Sequence, residues 1–404
     1  MFETSPNTKL ETAESVHPSK NVIDLITRFI AFPTVSRDSN LGLIEWTRDY
    51  LKKFGVESRL TYDQSGKKAN LFATLGDGKS GGMILSGHTD VVPVDGQNWA
   101  TDPFTATLHN GRIYGRGSSD MKGFIATSLA LVPYFLEQNL KKPIHFAFSY
   151  DEEVGCLGVR SLIADLKEQG IAPAGCIVGE PTDMRPVIAH KGTHRFRCCV
   201  RGKEAHSSYT THGVNAIEYA SRLIVKIREI ADKLAREESK NFNFSIPYST
   251  LQTGLVRGGI APNVVPRDCE FQFELRTLPG TDPEILFSEI QTYADILLAA
   301  MRNESPEAAI SFEKVSGSPG LFMEASDPLI DLAVKLSRKP HGGGVPYGTE
   351  AGLFQHAGIP TVICGPGSIE QAHKPNEFVS LDQVAQCEAF LKRLGSMDSQ
   401  QEIS

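Results

Sequence analysis

Ile144-His145-Phe146-Ala147-Phe148-Ser149-Tyr150-Asp151-Glu152-Glu153 runs from a nearly unbroken apolar stretch into three adjacent carboxylates. An apolar run of that length reads as a strand covered on both faces, as in the sheets of α/β proteins. Carboxylates placed where the burial ends put ionisable groups at the mouth of that sheet. The same arrangement recurs along the chain. His88-Thr89-Asp90 closes the apolar run 83–86, Asp120 closes a glycine-rich loop, Glu180 follows the run 176–178, and His373 follows another such run and loop. Two histidines and several carboxylates at strand ends are N and O donors that hold borderline cations with no thiolate, which points to a binuclear zinc hydrolase.

Around this decapeptide the chain alternates helix and strand. Spacing predicts helices over 22–32 and 43–54, strands over 69–75 and 83–86, and a helix over 124–138. The strand over 144–150, a helix over 158–169 and a strand over 176–178 follow. Such alternation predicts a three-layer α/β domain with a central, mainly parallel sheet. In such sheets functional groups gather at the carboxyl ends of the strands, where the donor residues lie.

From Thr193 the pattern changes. A strand over 194–201 precedes a long helix over 215–236 with Ile217, Ala220, Ile224, Ile227, Ala231 and Leu234 on one face. Strands over 249–256 and 269–276, a helix over 283–301 and a strand over 309–315 complete a β-α-β-β-α-β unit, the order of a ferredoxin-like α+β fold. After Pro319 the first pattern returns, with elements over 328–338, 349–356 and 360–364. The expected division is therefore a polar, acidic tail over 1–20, a catalytic domain formed by 21–192 and 318–404, and an inserted domain over 193–317.

Bulk properties narrow the function. A chain of 404 residues is long for one core and suggests two domains. A net charge of −7 with no long Lys/Arg cluster speaks against a nucleic-acid surface. The longest mostly apolar stretch, 124–136, is interrupted by Pro133 and too short to span a bilayer, so no membrane association is expected. The cysteines number seven and match neither a disulfide framework nor a paired-cysteine zinc site, so reduced thiols in a cytoplasmic protein are expected.

Three blocks carry the chemistry. In Ser86-Gly87-His88-Thr89-Asp90, residues two apart on an extended chain point to the same side, so Asp90 can accept a hydrogen bond from the His88 nitrogen that faces away from a metal. In Gly115 to Gly123 the glycines allow a tight turn that brings Asp120 inward, and a carboxylate there can bridge two metals through its two oxygens. In Asp151-Glu152-Glu153 an extended backbone would send neighbours to opposite sides. One glutamate can then bind metal while the other serves as the base that takes a proton from water and gives it to the leaving amine.

The blocks SGHTDVVP (86–93), GRGSSDMKG (115–123), DEEVG (151–155), GEPT (179–182) and AHKPNE (372–377), in this order, resemble the zinc-dependent aminoacylase, carboxypeptidase G and acetylornithine deacetylase family over about residues 22–395. That resemblance implies two Zn2+ ions per chain, with Co2+ a workable substitute, bridged by Asp120. One zinc would also hold His88 and Glu180, the other Glu153 and His373. Glu152 would be the general acid/base, Asp90 would orient His88, and the inserted domain would be a lid that joins two chains as a homodimer. Ala205-His206-Ser207-Ser208 and Pro262-Asn263-Val264-Val265-Pro266 resemble family segments that meet the substrate. The resemblance implies that Asn263 contacts substrate and that His206 stabilises the oxyanion in the partner chain's site. Arg276, at the end of an alternating strand, suits the clamp for a substrate carboxylate.

The stretches 345–354 and 364–369 resemble the acetylornithine-cleaving branch, which implies a small-molecule N-acyl amino acid substrate on the arginine biosynthetic route. Related desuccinylases place an arginine where this chain has Leu353. Glu350 has two readings: an anion facing the ornithine side-chain ammonium, or a carboxylate bonded to backbone near the zinc. A broader aminoacylase, a desuccinylase, a dipeptidase, or a catalytically silent zinc-binding assembly protein are the alternatives.

Overall fold

A computed structural model describes residues 17–138 and 140–397. Residues 1–16 of the expected tail lie outside the described residues, and the first helix already opens at Lys20.

Among the described residues the large sheet has nine strands. Their order is Ser58–Tyr62, Ala69–Leu75, Ile144–Ser149, Met83–His88, Gly175–Pro181, Thr361–Gly365, Val187–His190 and Leu321–Phe322, with Gly342–Val345 beside Val187–His190. The four central strands run parallel, Ile144–Ser149 with Met83–His88, Gly175–Pro181 and Thr361–Gly365. Toward both edges the pairing turns antiparallel, apart from the parallel pair that Gly342–Val345 makes. The central strands are buried throughout, which accounts for their continuous apolar runs. Helices Lys20–Ile30, Lys122–Ala130, Pro328–Ser337 and Leu381–Gly395 form one packed group. Gly158–Glu168 and Ala351–His356 pack against each other and the sheet, completing the three layers. Because the central strands are parallel and in register, His88 pairs with Ser149 and all their carboxyl ends open on one edge.

A separate four-stranded antiparallel sheet lies between residues 192 and 318, in the order Thr250–Gly258, Asp268–Thr277, Gly192–Arg201, Ala309–Ser318. Helices Ala216–Glu237 and Pro283–Glu304 cover it around a second core that includes Phe196, Phe271, Phe273, Ile227 and Leu297. This is the ferredoxin-like order expected, with one added ribbon in which Ala205–His206 pairs with Val264–Val265. Both helices start on side-chain caps: Asn215 accepts from Ile217 N and Glu218 N, and Asp282 from Glu284 N ahead of Pro283.

Several expectations shift. The helix expected over 124–138 is two helices, Lys122–Ala130 and Val132–Glu137, because Pro133 can open a helix but not continue one. The buried face of Ala216–Glu237 is Ala216, Ala220, Leu223, Ile227 and Ile230, whereas Ile217 is 37% exposed. Glu180 lies within its strand rather than after it.

Gly179, just before Glu180, has a packing reason. A Cβ there would stand 2.0 Å from the Phe124 ring, so glycine lets helix Lys122–Ala130 press against the strand. Gly179→Ala should therefore cost about 1–3 kcal/mol from overpacking. The expected result is a lower urea midpoint with unchanged slope, and an unaltered midpoint would contradict the packing account.

Candidate dinuclear metal centre

His88 ends its strand fully buried. Its Nδ1 lies 2.9 Å from the Asp90 backbone carbonyl. A carbonyl only accepts, so Nδ1 carries a proton and Nε2 faces the site as the donor for a metal. This corrects the role expected for the Asp90 carboxylate, whose Oδ1 is 3.6 Å from Nδ1. Nδ1 meets the backbone carbonyl of the same residue instead. The Asp90 carboxylate accepts from Ser36 Oγ (2.7 Å), Glu152 N (3.1 Å) and Glu153 N (3.3 Å). It holds the backbone that carries the two glutamates.

That backbone is also not extended as expected. Asp151 sits at φ 54°, with its carboxylate on Lys68 Nζ at 2.6 Å, and the Glu152 carbonyl accepts from both Gly155 N and Cys156 N. The segment is a turn, and the two glutamates still diverge. Glu153 reaches His373 Nε2 at 3.0 Å. Glu152 joins His88 and Glu180 in one cluster of potential metal donors, so its carboxylate stands among the ligand atoms as well as in reach of the reacting region.

Asp120 lies at the centre. Its Oδ1 is 2.9 Å from His88 Nε2, and its Oδ2 is 3.4 Å from His373 Nε2. Glu180 Oε1 lies 3.7 Å from His88 Nε2. His88, Asp120 and Glu153 form a second donor cluster. The side chain of His373 is 54% exposed, so the centre opens to solvent on that side, while Asp120, Glu153 and Glu180 are nearly closed off.

The electrostatics call for cations. Burial, then the neighbouring carboxylates, holds Glu180 well above the usual carboxylate range, raises Glu153, and pushes Glu152 up to about 8. Burial disfavours charge on His88, yet the Asp120 hydrogen bond and the Glu180 charge hold it well above the imidazole range. Hydrogen bonds to Asp120 and Glu153 hold His373 up at about 10. Burial alone would raise Asp120, but its bonds to both histidines pull it below the carboxylate range. Four carboxylates in so small a buried volume cannot all ionise without nearby positive charge, and two divalent ions would supply it. Two such clusters of imidazole and carboxylate donors fit a dinuclear zinc centre.

The other predicted residues lie further out. Both Glu350 oxygens accept from serines, Ser86 Oγ at 2.6 Å and Ser149 Oγ at 2.7 Å, and the residue is fully buried. Of its two readings this is the one beside the metal centre, with serine hydroxyls as partners, and it leaves no face for a substrate ammonium. Arg276 bonds Glu274 Oε1 at 2.6 Å and the Pro346 carbonyl at 3.1 Å, tying the second sheet to the loop after Gly342–Val345. His206 is exposed and accepts at Nδ1 from Ser208 N, while the Asn263 carbonyl accepts from Ser207 N, so these two residues are neighbours on the added ribbon. Glu377, Arg116 and Gln97, which brace the Asp120 and His373 loops, escaped the sequence reading. Glu377 stands in the quoted block 372–377 and Arg116 in 115–123, yet nothing in spacing tells a brace from a solvated charge.

The model for peptidase family M20/M25/M40 matches residues 84–396. The chain belongs to this family. It is 34% identical to an acetylornithine deacetylase of Photorhabdus laumondii over 92% of this chain and 96% of that one. With an acetylornithine deacetylase of Aliivibrio salmonicida the identity is 35%, over 85% and 88%. Among solved structures, an aminopeptidase from Bacillus cereus superposes with TM-score 0.73 at 19% identity, covering 95% of this chain and 99% of that one. An M20 metallo-carboxypeptidase from Sulfolobus solfataricus gives 0.73 at 19%, covering 94% and 100%. At these identities the two structures speak for the fold.

For this M20-family chain the two-sided Asp120 carboxylate predicts a graded loss of metal. Asp120→Ala should empty both positions, whereas His373→Ala should leave one ion bound. Elemental analysis after desalting checks this, and retention of both ions by Asp120→Ala would contradict the bridging arrangement.

Proposed function

We propose that the chain hydrolyses N2-acetyl-L-ornithine to L-ornithine and acetate, a step of arginine biosynthesis, as a cytoplasmic homodimer joined through the domain over 193–317. The observation that carries the hydrolytic part is Asp120, with one oxygen toward each histidine and Glu152 grouped with His88 and Glu180 beside it. The choice of substrate is supported by relatives of that name at 34–35% identity along most of the chain. None of the described helices is long and apolar enough to cross a membrane.

His88, Asp120 and Glu180 would hold one zinc, and Asp120, Glu153 and His373 the other. Bound there, zinc would polarise the scissile carbonyl and make water a nucleophile near neutral pH. Glu152 takes the proton from the attacking water and passes it to the departing amine nitrogen. A carboxylate standing among the metal donors and within reach of the reacting region suits both transfers. Asp90 keeps Glu152 and Glu153 apart by gripping their backbone nitrogens. Ser208 N donates to His206 Nδ1, so a neutral ring carries its proton on Nε2 and offers it to the oxyanion in the partner chain's site. With Nε and Nη1 of Arg276 engaged, its Nη2 edge remains for the substrate carboxylate, and Asn263 meets the substrate beside His206.

Glu152→Ala should keep both zinc ions and lose roughly 10²–10⁴-fold in turnover, the usual worth of a general acid/base. Loss of metal instead would make Glu152 a ligand. On a panel of substrates, kcat/KM for N2-acetylornithine should exceed that for N-succinyl-diaminopimelate by about a hundredfold or more, because an unpaired buried carboxylate on the larger ligand is costly. A preference for the succinyl compound, or for dipeptides, would replace the proposed substrate.

The dimeric arrangement has its own check. Mixed Glu152→Ala and His206→Ala chains should regain activity that neither variant has alone. No recovery after confirmed subunit exchange would mean a site completed within one chain, or a monomer, and a fully active His206→Ala variant would place His206 outside the reaction.

A further inference from the structure

Glu377 and Arg116 form an ion pair at 2.7 Å with each residue only 1% exposed. Removing two charges from water is costly, and such a pair is weak evidence for stability, so its geometry is the more informative property. Glu377 Oε1 accepts from Ser119 N at 2.9 Å and Asp120 N at 3.0 Å. Its Oε2 accepts from Gly117 N at 3.1 Å and Arg116 Nη1 at 2.7 Å. The Glu377 carbonyl accepts from Gly115 N at 3.0 Å. One side chain thus saturates the inner backbone of the glycine-rich loop, up to the nitrogen of Asp120 itself.

The other end of the network reaches His373. Arg116 Nη1 donates to the Lys374 carbonyl at 3.4 Å and Nη2 to Gln97 Oε1 at 2.7 Å. Gln97 Nε2 donates in turn to the His373 carbonyl at 3.0 Å. The guanidinium lies over the Trp99 ring, and Trp99 Nε1 donates to the same Gln97 oxygen. A continuous path of hydrogen bonds therefore joins the backbone of Asp120 to the backbone of His373, two residues far apart in sequence.

We propose that Glu377, acting through Arg116 and Gln97, is a positioning residue that sets Asp120 against His373 and so preforms the metal position those two share. The other position shares Asp120 but takes its remaining ligands, His88 and Glu180, from strands of the large sheet, so it depends on this path less. The proposal rests on the reading of Asp120 and His373 as metal ligands. Losing such a supporting partner lowers metal affinity about 10–100-fold in comparable sites.

The test titrates metal-free, full-length protein with Co2+, following visible absorption and heat. Wild type should fill two positions in sequence. Glu377→Gln should weaken one of the two steps about 10–100-fold and the other by less. Gln97→Ala, at the half-buried outer end of the path, should weaken the same step by less and serves if Glu377→Gln does not fold. Glu388→Gln, which removes a buried carboxylate bonded to Ser19 N and Lys392, should leave both steps unchanged and controls for general loss of stability. Wild-type titration by Glu377→Gln, or equal weakening of both steps in a folded variant, would overturn the proposal. A single step in wild type would overturn the dinuclear reading beneath it, and that is seen before any variant is made.

Discussion

One carboxylate whose two oxygens face two different imidazoles is the constraint on which the rest of this molecule depends. Asp120 can face His88 and His373 together only if a strand end, a glycine-rich loop and a loop near the carboxyl terminus meet at one point. The parallel centre of the sheet delivers the strand ends: His88 pairs with Ser149, and the Gly175–Pro181 strand lies on the other side of Met83–His88. Ser86 and Ser149, one on each of two adjacent strands, both donate to buried Glu350, which ties these ends together beneath the metal centre.

The charges tell the same story from another side. Carboxylates stay in water unless something repays their burial, and here several are buried within reach of one another. Two histidines offset part of that charge. The rest shows as raised protonation of Glu152, Glu153 and Glu180, the condition that divalent cations relieve. The pocket therefore has a donor set and an electrostatic deficit that point to the same occupant. In contrast, His206 and Asn263 sit on the separate two-stranded ribbon between residues 192 and 318, and Arg276, on the four-stranded sheet, is engaged with Glu274 and Pro346, so the parts proposed to grip substrate are built away from the core that holds the metal donors.

Much of this was legible in the residues. Apolar runs ending in His or Asp/Glu located the central strands and the donors, because burial on both faces leaves a continuous hydrophobic signal. The alternation in 269–276 marked the half-covered second sheet. Short strands such as Val187–His190 and Gly342–Val345 were missed, since a few residues carry too little period to register. Asp90 was placed on the wrong partner because periodicity along an extended chain does not foresee a turn at Asp151. Glu350 could not be decided from charge alone. Its serine partners lie far off in the sequence, and only the folded sheet brings them together.

The central claim is that two metal ions lie on either side of the Asp120 carboxylate. Anomalous diffraction at the zinc edge from crystals of the zinc-loaded protein tests it most directly. The account predicts two anomalous peaks flanking Asp120, one toward His88 and Glu180 and one toward Glu153 and His373. A single peak, or peaks away from Asp120, would contradict it.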